Sequence, residues 1–314
     1  MMQAYGLFFV LLGGAALALI SFSLSEIGAA FKHAAGVQGS PAEVRTSCLF
    51  WEASARNFWM MGALASVMSF VNALNSLSRS SGGIAAVASG MAASLVPSVY
   101  GIVLGAVSLV PEWKLKEKLR RQPSGVGPRD AAASSRGTRA FWKMETVTGY
   151  ILFIVLMAWT AIKPFLSAPS LPFKPWAWFF YWPAVLIILG GTLAFVLFVG
   201  DAAGRTPLTA CFALTALIGS LMGVIQVLLG FAAKNAGNVA IGKIAAAMAF
   251  IISSCFVGLA GMMLAGAPLE DRMVKTGRID RPTTLSRVAW SVFPLVALIF
   301  LVITFFLVIT PVRK

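Results

Sequence analysis

The residues of this chain that could do chemistry are hydroxyls set inside apolar runs. Ser94 and Ser98 lie four apart in the run 84–110, and Ser253 and Ser254 stand side by side in 241–267. A hydroxyl both donates and accepts. A row of them can replace part of an ion's hydration shell where water is excluded. The same groups also serve helix packing, or bond back to their own helix carbonyls. No Asp, Glu, Lys, Arg or His occupies the middle of any apolar run. Intramembrane ionisable groups are the usual proton and ion relays. A proton path through this chain would therefore need a carboxylate from another protein. No nucleophilic triad or phosphate loop is present, and the single His33 is read as a loop residue. The three cysteines, Cys48, Cys211 and Cys255, are scattered. These features predict no catalytic residue, no metal site, no cofactor, no disulfide framework and no enzymatic activity.

The elements that must hold these hydroxyls are long and apolar. The chain has 314 residues, 59% of them hydrophobic and 11% charged, with mean hydropathy +0.85. That composition predicts an all-α polytopic membrane protein. About eight segments are long enough to span: 4–24, 58–77, 84–110, 146–166, 178–199, 210–231, 241–267 and 289–310. The first has no basic residue before it and is read as a retained helix, not a leader. The last is read as a lipid-facing helix. An amphipathic helix is expected near 42–56, and KLKEKLRR (114–121) continues the third segment into water.

The formal net charge is +14, and its distribution decides its meaning. The loops at 25–57, 111–145, 200–209 and 268–288 carry 18 of the 25 Lys and Arg. Such bias predicts that these loops are cytoplasmic and that both termini are outside, in a bacterial inner membrane. Lipids, not nucleic acid, are the expected partners of the basic residues.

Two stretches share a pattern. Gly62 and Gly101 are 39 residues apart, as are Gly219 and Gly258, and Pro111 and Pro268 each follow ten residues later. The offset is 157 throughout, so two parallel repeats are expected, each built on a long helical hairpin. Gly62, Ser66, Gly101, Gly219, Gly223 and Gly258 are read as close helix contacts. Pro97, Pro111 and Pro268 are read as kinks or helix ends.

GSLMGVIQVL (219–228) and SSCFVGLAGMMLAGAPLEDRM (253–273) resemble the MotA/TolQ/ExbB proton channel family, and VPSVYGIVLGAVSLVP (96–111) resembles it more weakly. The resemblance implies a channel-forming subunit of an ion-motive-force-driven motor, assembled as a homo-oligomeric ring. It also implies a single-span ExbD/TolR/MotB-like partner with a periplasmic domain, which supplies a membrane Asp. Ser98 and Ser254, or the adjacent Cys255, would face that Asp. The family's third-helix Glu falls on Ala93 and Phe250 here, and there is no room at 200–209 for a large cytoplasmic domain. The expected divisions are 1–111 for the first repeat and 112–145 for a basic helix end with a flexible linker. The second repeat would span 146–288, and the last helix 289–314. Two other readings stay open: a non-conducting scaffold of an envelope complex, and a solute transporter.

Overall fold

The protein was examined as a computed structural model describing residues 2–77, 83–121, 144–166, 179–199, 208–232, 238–276 and 284–309. The linker at 122–143, most of the aromatic loop at 167–178 and the turn at 200–207 lie outside these residues. All regular structure among them is helical.

Helix α1 (Met2–Ser21) is apolar along its length. It is followed at once by α2 (Leu24–Ala34), and the two axes bend by 111°. Ser23 sets that bend with a capping box. Its Oγ accepts from the Glu26 N–H at 3.3 Å, and Glu26 Oε2 accepts from the Ser23 N–H at 2.7 Å. Ser40 and Glu43 repeat the device at the start of α3 (Pro41–Leu77), with bonds of 3.3 and 2.8 Å. The Ser40 donors hold the Glu43 carboxyl below the usual carboxylate range. His33 is part of α2, not a loop. It is buried, with Nδ1 2.8 Å from Ser47 Oγ, which ties α2 to α3.

The rest of the chain is α4 (Gly83–Arg121), α5 (Met144–Leu166), α6 (Trp182–Val199), α7 (Leu208–Ala232) and α8 (Asn238–Gly261). A five-residue π turn (Met262–Gly266) leads into α9 (Ala267–Lys275), and α10 (Thr284–Ile309) closes the described chain. The amphipathic segment and the second apolar segment are thus one helix, α3. Pro111 does not end α4, which runs through both Pro97 and Pro111. Pro268 sits in the first turn of α9, where its missing N–H costs little. In both places packing against a neighbouring helix overrides the local break.

Helices α3 and α4 form one antiparallel hairpin, and α7 and α8 form another. Helix α1 lies against α3 and α5, and α10 packs on α7 and α3. Buried Phe293, Ala297 and Leu301 give α10 an inward face, so it is not simply a lipid-facing helix. The core runs from Leu17 and Ile20 of α1 through Met60, Leu64 and Phe70 of α3 to Ile251, Ile252 and Leu259 of α8. The outside is also apolar: Ile102, Val103 and Val107 of α4 and Ile225, Leu228 and Leu229 of α7 are exposed. A bilayer, which solvates apolar side chains, suits that surface.

Each of the eight apolar segments falls largely on a helix. By length and composition, four described helical runs suffice to cross a membrane: Ala92–Arg120, Leu208–Leu229, Ala246–Lys275 and Ser286–Ile303. Counting the bent α1–α2 pair as one span gives up to five. Among the described residues, α5 and α6 offer shorter apolar stretches, Met144–Trp159 and Trp182–Ala194. Helix α3 is diluted by its polar first half and by Ser66, Ser69, Asn72, Asn75 and Ser76. Among the described residues, four of the eight expected spans meet this measure, or five with the bent pair.

Candidate functional site

The first hairpin is held by a seam of small and polar residues. On α4 the buried positions 94, 98, 101, 105, 108, 112 and 115 recur at alternating steps of four and three. They are Ser94, Ser98, Gly101, Gly105, Ser108, Glu112 and Leu115, a heptad stripe facing α3. Gly62 and Gly101 touch. A Cβ built on Gly62 would stand 2.8 Å from Gly101 Cα and 2.9 Å from the Pro97 carbonyl oxygen. One turn further along α3, Ser66 Oγ is 2.7 Å from Ser98 Oγ and accepts from the Ser98 N–H at 3.1 Å. Ser98 Oγ also lies 3.3 Å from the Gly62 carbonyl oxygen, to which it can donate. Bonds across a close glycine contact lock the hairpin register. The ion-path candidate Ser98 is therefore built into the hairpin's own hydrogen bonding.

The second hairpin has the same parts in another register. Gly219 and Gly258 do not face each other. Gly219 packs on Ser254, while Gly258 packs on Ala216 of α7 and on Phe293 of α10. Ser220 Oγ lies 3.5 Å from Cys255 Sγ and donates to the Ala216 carbonyl at 2.8 Å. The Ser220–Cys255 pair thus replaces Ser66–Ser98. A strict 157-residue repeat would pair position 223, not 220, with Cys255. Helix α7 has slipped along α8 by about one helical turn, roughly 5 Å. Ala216 of α7 takes the place opposite Gly258 that Gly219 would fill in a strict repeat, and the Phe293 ring packs beside it. Gly223 lies against Ile251 and the Ala247 carbonyl, so Gly219 and Gly223 do form a close face, toward α8.

The four candidate hydroxyls are not brought together. Ser94 and Ser98 are in the α3–α4 seam. Ser253 donates to the Phe179 carbonyl at 2.9 Å and accepts from the Tyr181 N–H at 3.2 Å, fastening the chain that enters α6. Ser254 is fully buried against Gly219, and its Oγ has no hydrogen-bond partner. A cavity of about 500 Å³ opens beside α8 between Phe153, Met157, Phe179, Phe212 and Phe256. None of these side chains can ligate an ion.

Charge is buried at one end of the bundle, where α3, α9 and α10 meet. Arg56 Nη2 and Asp271 Oδ2 are 2.6 Å apart, with 4% and 11% of their side chains exposed. Glu270 is also buried, and Ser286 Oγ of α10 donates to its Oε1. Lys275 reaches Glu26 Oε2 at 2.8 Å and the Ser21 carbonyl at 2.9 Å, with its ammonium over the Phe22 ring. Sequence reasoning placed LEDRMVK in water as a charged segment and missed this cluster. The π turn is the cause that composition hides. It adds a residue to the helical turn just before α9 and so re-aims the residues beyond it. Gly266 then lets α9 start directly against Thr209 of α7, whose Cα lies 2.8 Å from a Cβ built on Gly266. Among the described residues no group of three or more His, Cys, Asp or Glu side chains could hold a metal.

Neither a comparison with characterised proteins nor one with solved structures yields a match. One family description does match, over residues 34–125, which take in the end of α2 and all of α3 and α4. The resemblance read from sequence favoured the second hairpin, whereas this match lies on the first. Over residues 34–125 the chain is similar to the MotA/TolQ/ExbB proton channel family, and that is the family to which its first hairpin points.

Proposed function

We propose that this protein is a channel-forming membrane subunit of an ion-motive-force-driven complex, energising a single-span partner that supplies a membrane Asp. The match of residues 34–125 to the MotA/TolQ/ExbB proton channel family carries this reading. The shape of the matched hairpin supports it. At 37 and 39 residues, α3 and α4 are each about 55–60 Å long, well beyond the roughly 30 Å of a bilayer core. The basic end of α4 lies on the side where positive charge gathers, which the positive-inside rule makes cytoplasmic in an inner membrane. The described apolar runs hold no mid-span acid, so the reading requires a carboxylate from the partner. The eight helical segments, an oligomeric ring and two outside termini belong to the same proposal.

The test is purification from native membranes in mild detergent. The expected companion is a protein with one apolar span carrying an Asp. Proteoliposomes holding both chains should then pass protons, and substituting the partner's Asp should abolish the flux. Isolation of this chain alone, with no flux in any reconstitution, would sink the proposal.

A second reading has one observation in its favour. The hydroxyls of Ser66 and Ser98 bond to each other and to the Gly62 carbonyl, as a packing device does. A scaffold that kept the hairpin and lost conduction would look like this. Under that reading, collapsing the proton gradient leaves the complex's activity unchanged.

A further inference from the structure

Glu270 sits at the start of α9 with only 3% of its surface exposed. Its Oε1 accepts from Ser286 Oγ of α10. Its Oε2 has no hydrogen-bond partner. Thr209, fully buried at the start of α7, faces the same carboxyl, and its Oγ1 is likewise unpartnered. The Thr209 hydroxyl can turn to donate to that carboxyl, so Thr209 and Ser286 offer Glu270 two neutral donors and no positive charge.

The surrounding charges narrow what that is. From α3 comes Arg56, already held at 2.6 Å by Asp271, the next residue on α9. Glu52, further back on α3, acts on Arg56 as well. From α10 the neighbours are Ser286 and Arg287. Lys275, further along α9, is bonded to Glu26 of α2, and Arg272 also belongs to α9. The buried cluster therefore sets two carboxyls against one buried guanidinium, which is bonded to Asp271 and whose charge is also felt by Glu270. An ionised carboxylate buried without a cation of its own is expensive and takes up a proton instead.

We propose that Glu270, Thr209 and Ser286 form a proton-binding site. Glu270 holds one proton on Oε2, the new O–H donates to Thr209 Oγ1, and Oε1 continues to accept from Ser286. One proton thus removes the surplus negative charge while both hydroxyls stay in contact with the carboxyl. On release the O–H bond breaks, the proton passes to water, and a carboxylate remains. That carboxylate competes with Asp271 for Arg56 and loosens the tie between α3 and α9. The site stands on this chain alone. Its use in conduction rests on the channel reading above, for which it supplies a titratable group of the protein's own.

The test uses the full chain reconstituted without any partner, so it is read independently of conduction. Infrared difference spectra recorded through a pH titration should contain the C=O stretch of a protonated carboxylic acid near neutral pH. That band should be lost in Glu270→Gln and shifted in Thr209→Val. Gln has the shape and hydrogen bonds of the protonated acid. Glu270→Gln should therefore keep the wild-type melting temperature at neutral pH, while Glu270→Ala lowers it. If Glu270→Gln leaves every carboxyl band in place, or melts as early as Glu270→Ala, Glu270 is an ionised structural partner and the proposal is overturned. Loss of the band on adding sodium at fixed pH would also overturn it, in favour of a metal-cation site. Failure to find a membrane partner would leave the band untouched.

Discussion

The two hairpins use similar residues and stand in opposite surroundings. Only 33% of the apolar window of α4 is buried within the chain, against 78% for the run that contains α8. Helix α4 contacts α3 along one seam, touches α1 and α2 more lightly, and shows much of its remaining surface to the outside. Helix α8 is enclosed by α3, α6, α7 and α10. Charge follows the same division. At the basic end of the first hairpin, Lys116 pairs with Glu112 and lies 3.6 Å from Glu52, but it is 50% exposed. Where α3 meets α9, beyond the end of the second hairpin, Arg56 and Asp271 are almost fully enclosed. A shared small-residue pattern therefore does not imply a shared role. In the first hairpin it brings two backbones together, and in the second it makes room for third-party side chains such as Phe293.

The contrast can be broken most forcefully through the charges. Arg56→Ala leaves Asp271 buried without its cation and should cost about 3–5 kcal/mol. Lys116→Ala removes an exposed partner and should cost about 0–1 kcal/mol. Thermal unfolding in detergent compares the two, and equal losses would mean that the second cluster is solvated after all. Glycine substitution comes next. Gly62→Ala drives a methyl into the backbone of Gly101 and Pro97 and should cost about 1–3 kcal/mol. Gly219→Ala meets Ser254 first, whose hydroxyl can turn aside, so a smaller loss is expected. A larger effect at Gly219 would reverse the assignment of the tight seam. The smallest difference concerns hydroxyls. Ser66→Ala deletes the acceptor of the Ser98 N–H and the partner of its Oγ, at about 1 kcal/mol. Ser220→Ala loses a bond to its own helix and a long contact with Cys255, and should be close to neutral.

The sequence showed the helices more clearly than the site. Apolar runs mark where most of the helices lie, because the need to leave water is a local property. The hairpins followed from the short distance between runs. The heptad seam on α4 was also open to reading, since Ser94, Ser98, Gly101, Gly105, Ser108 and Glu112 carry it in their spacing. The slip of α7 against α8 was hidden, since both Gly219 and Ala216 are small and either could stand opposite Gly258. The burial of Glu270 and Asp271 was hidden more deeply. LEDRMVK has the composition of a solvated turn, and only a π turn and the contact between Gly266 and Thr209 bring it inward.

The meeting of Gly62 and Gly101 has a mechanical consequence. With no side chain between them, α3 and α4 share a fulcrum. From Gly62 the arm of α3 is about 32 Å back to Pro41 and about 23 Å on to Leu77. Helices held stiffly at that point behave as a lever. A sideways push on the short arm inside the apolar layer would emerge at the basic end reversed in direction and enlarged about 1.4-fold.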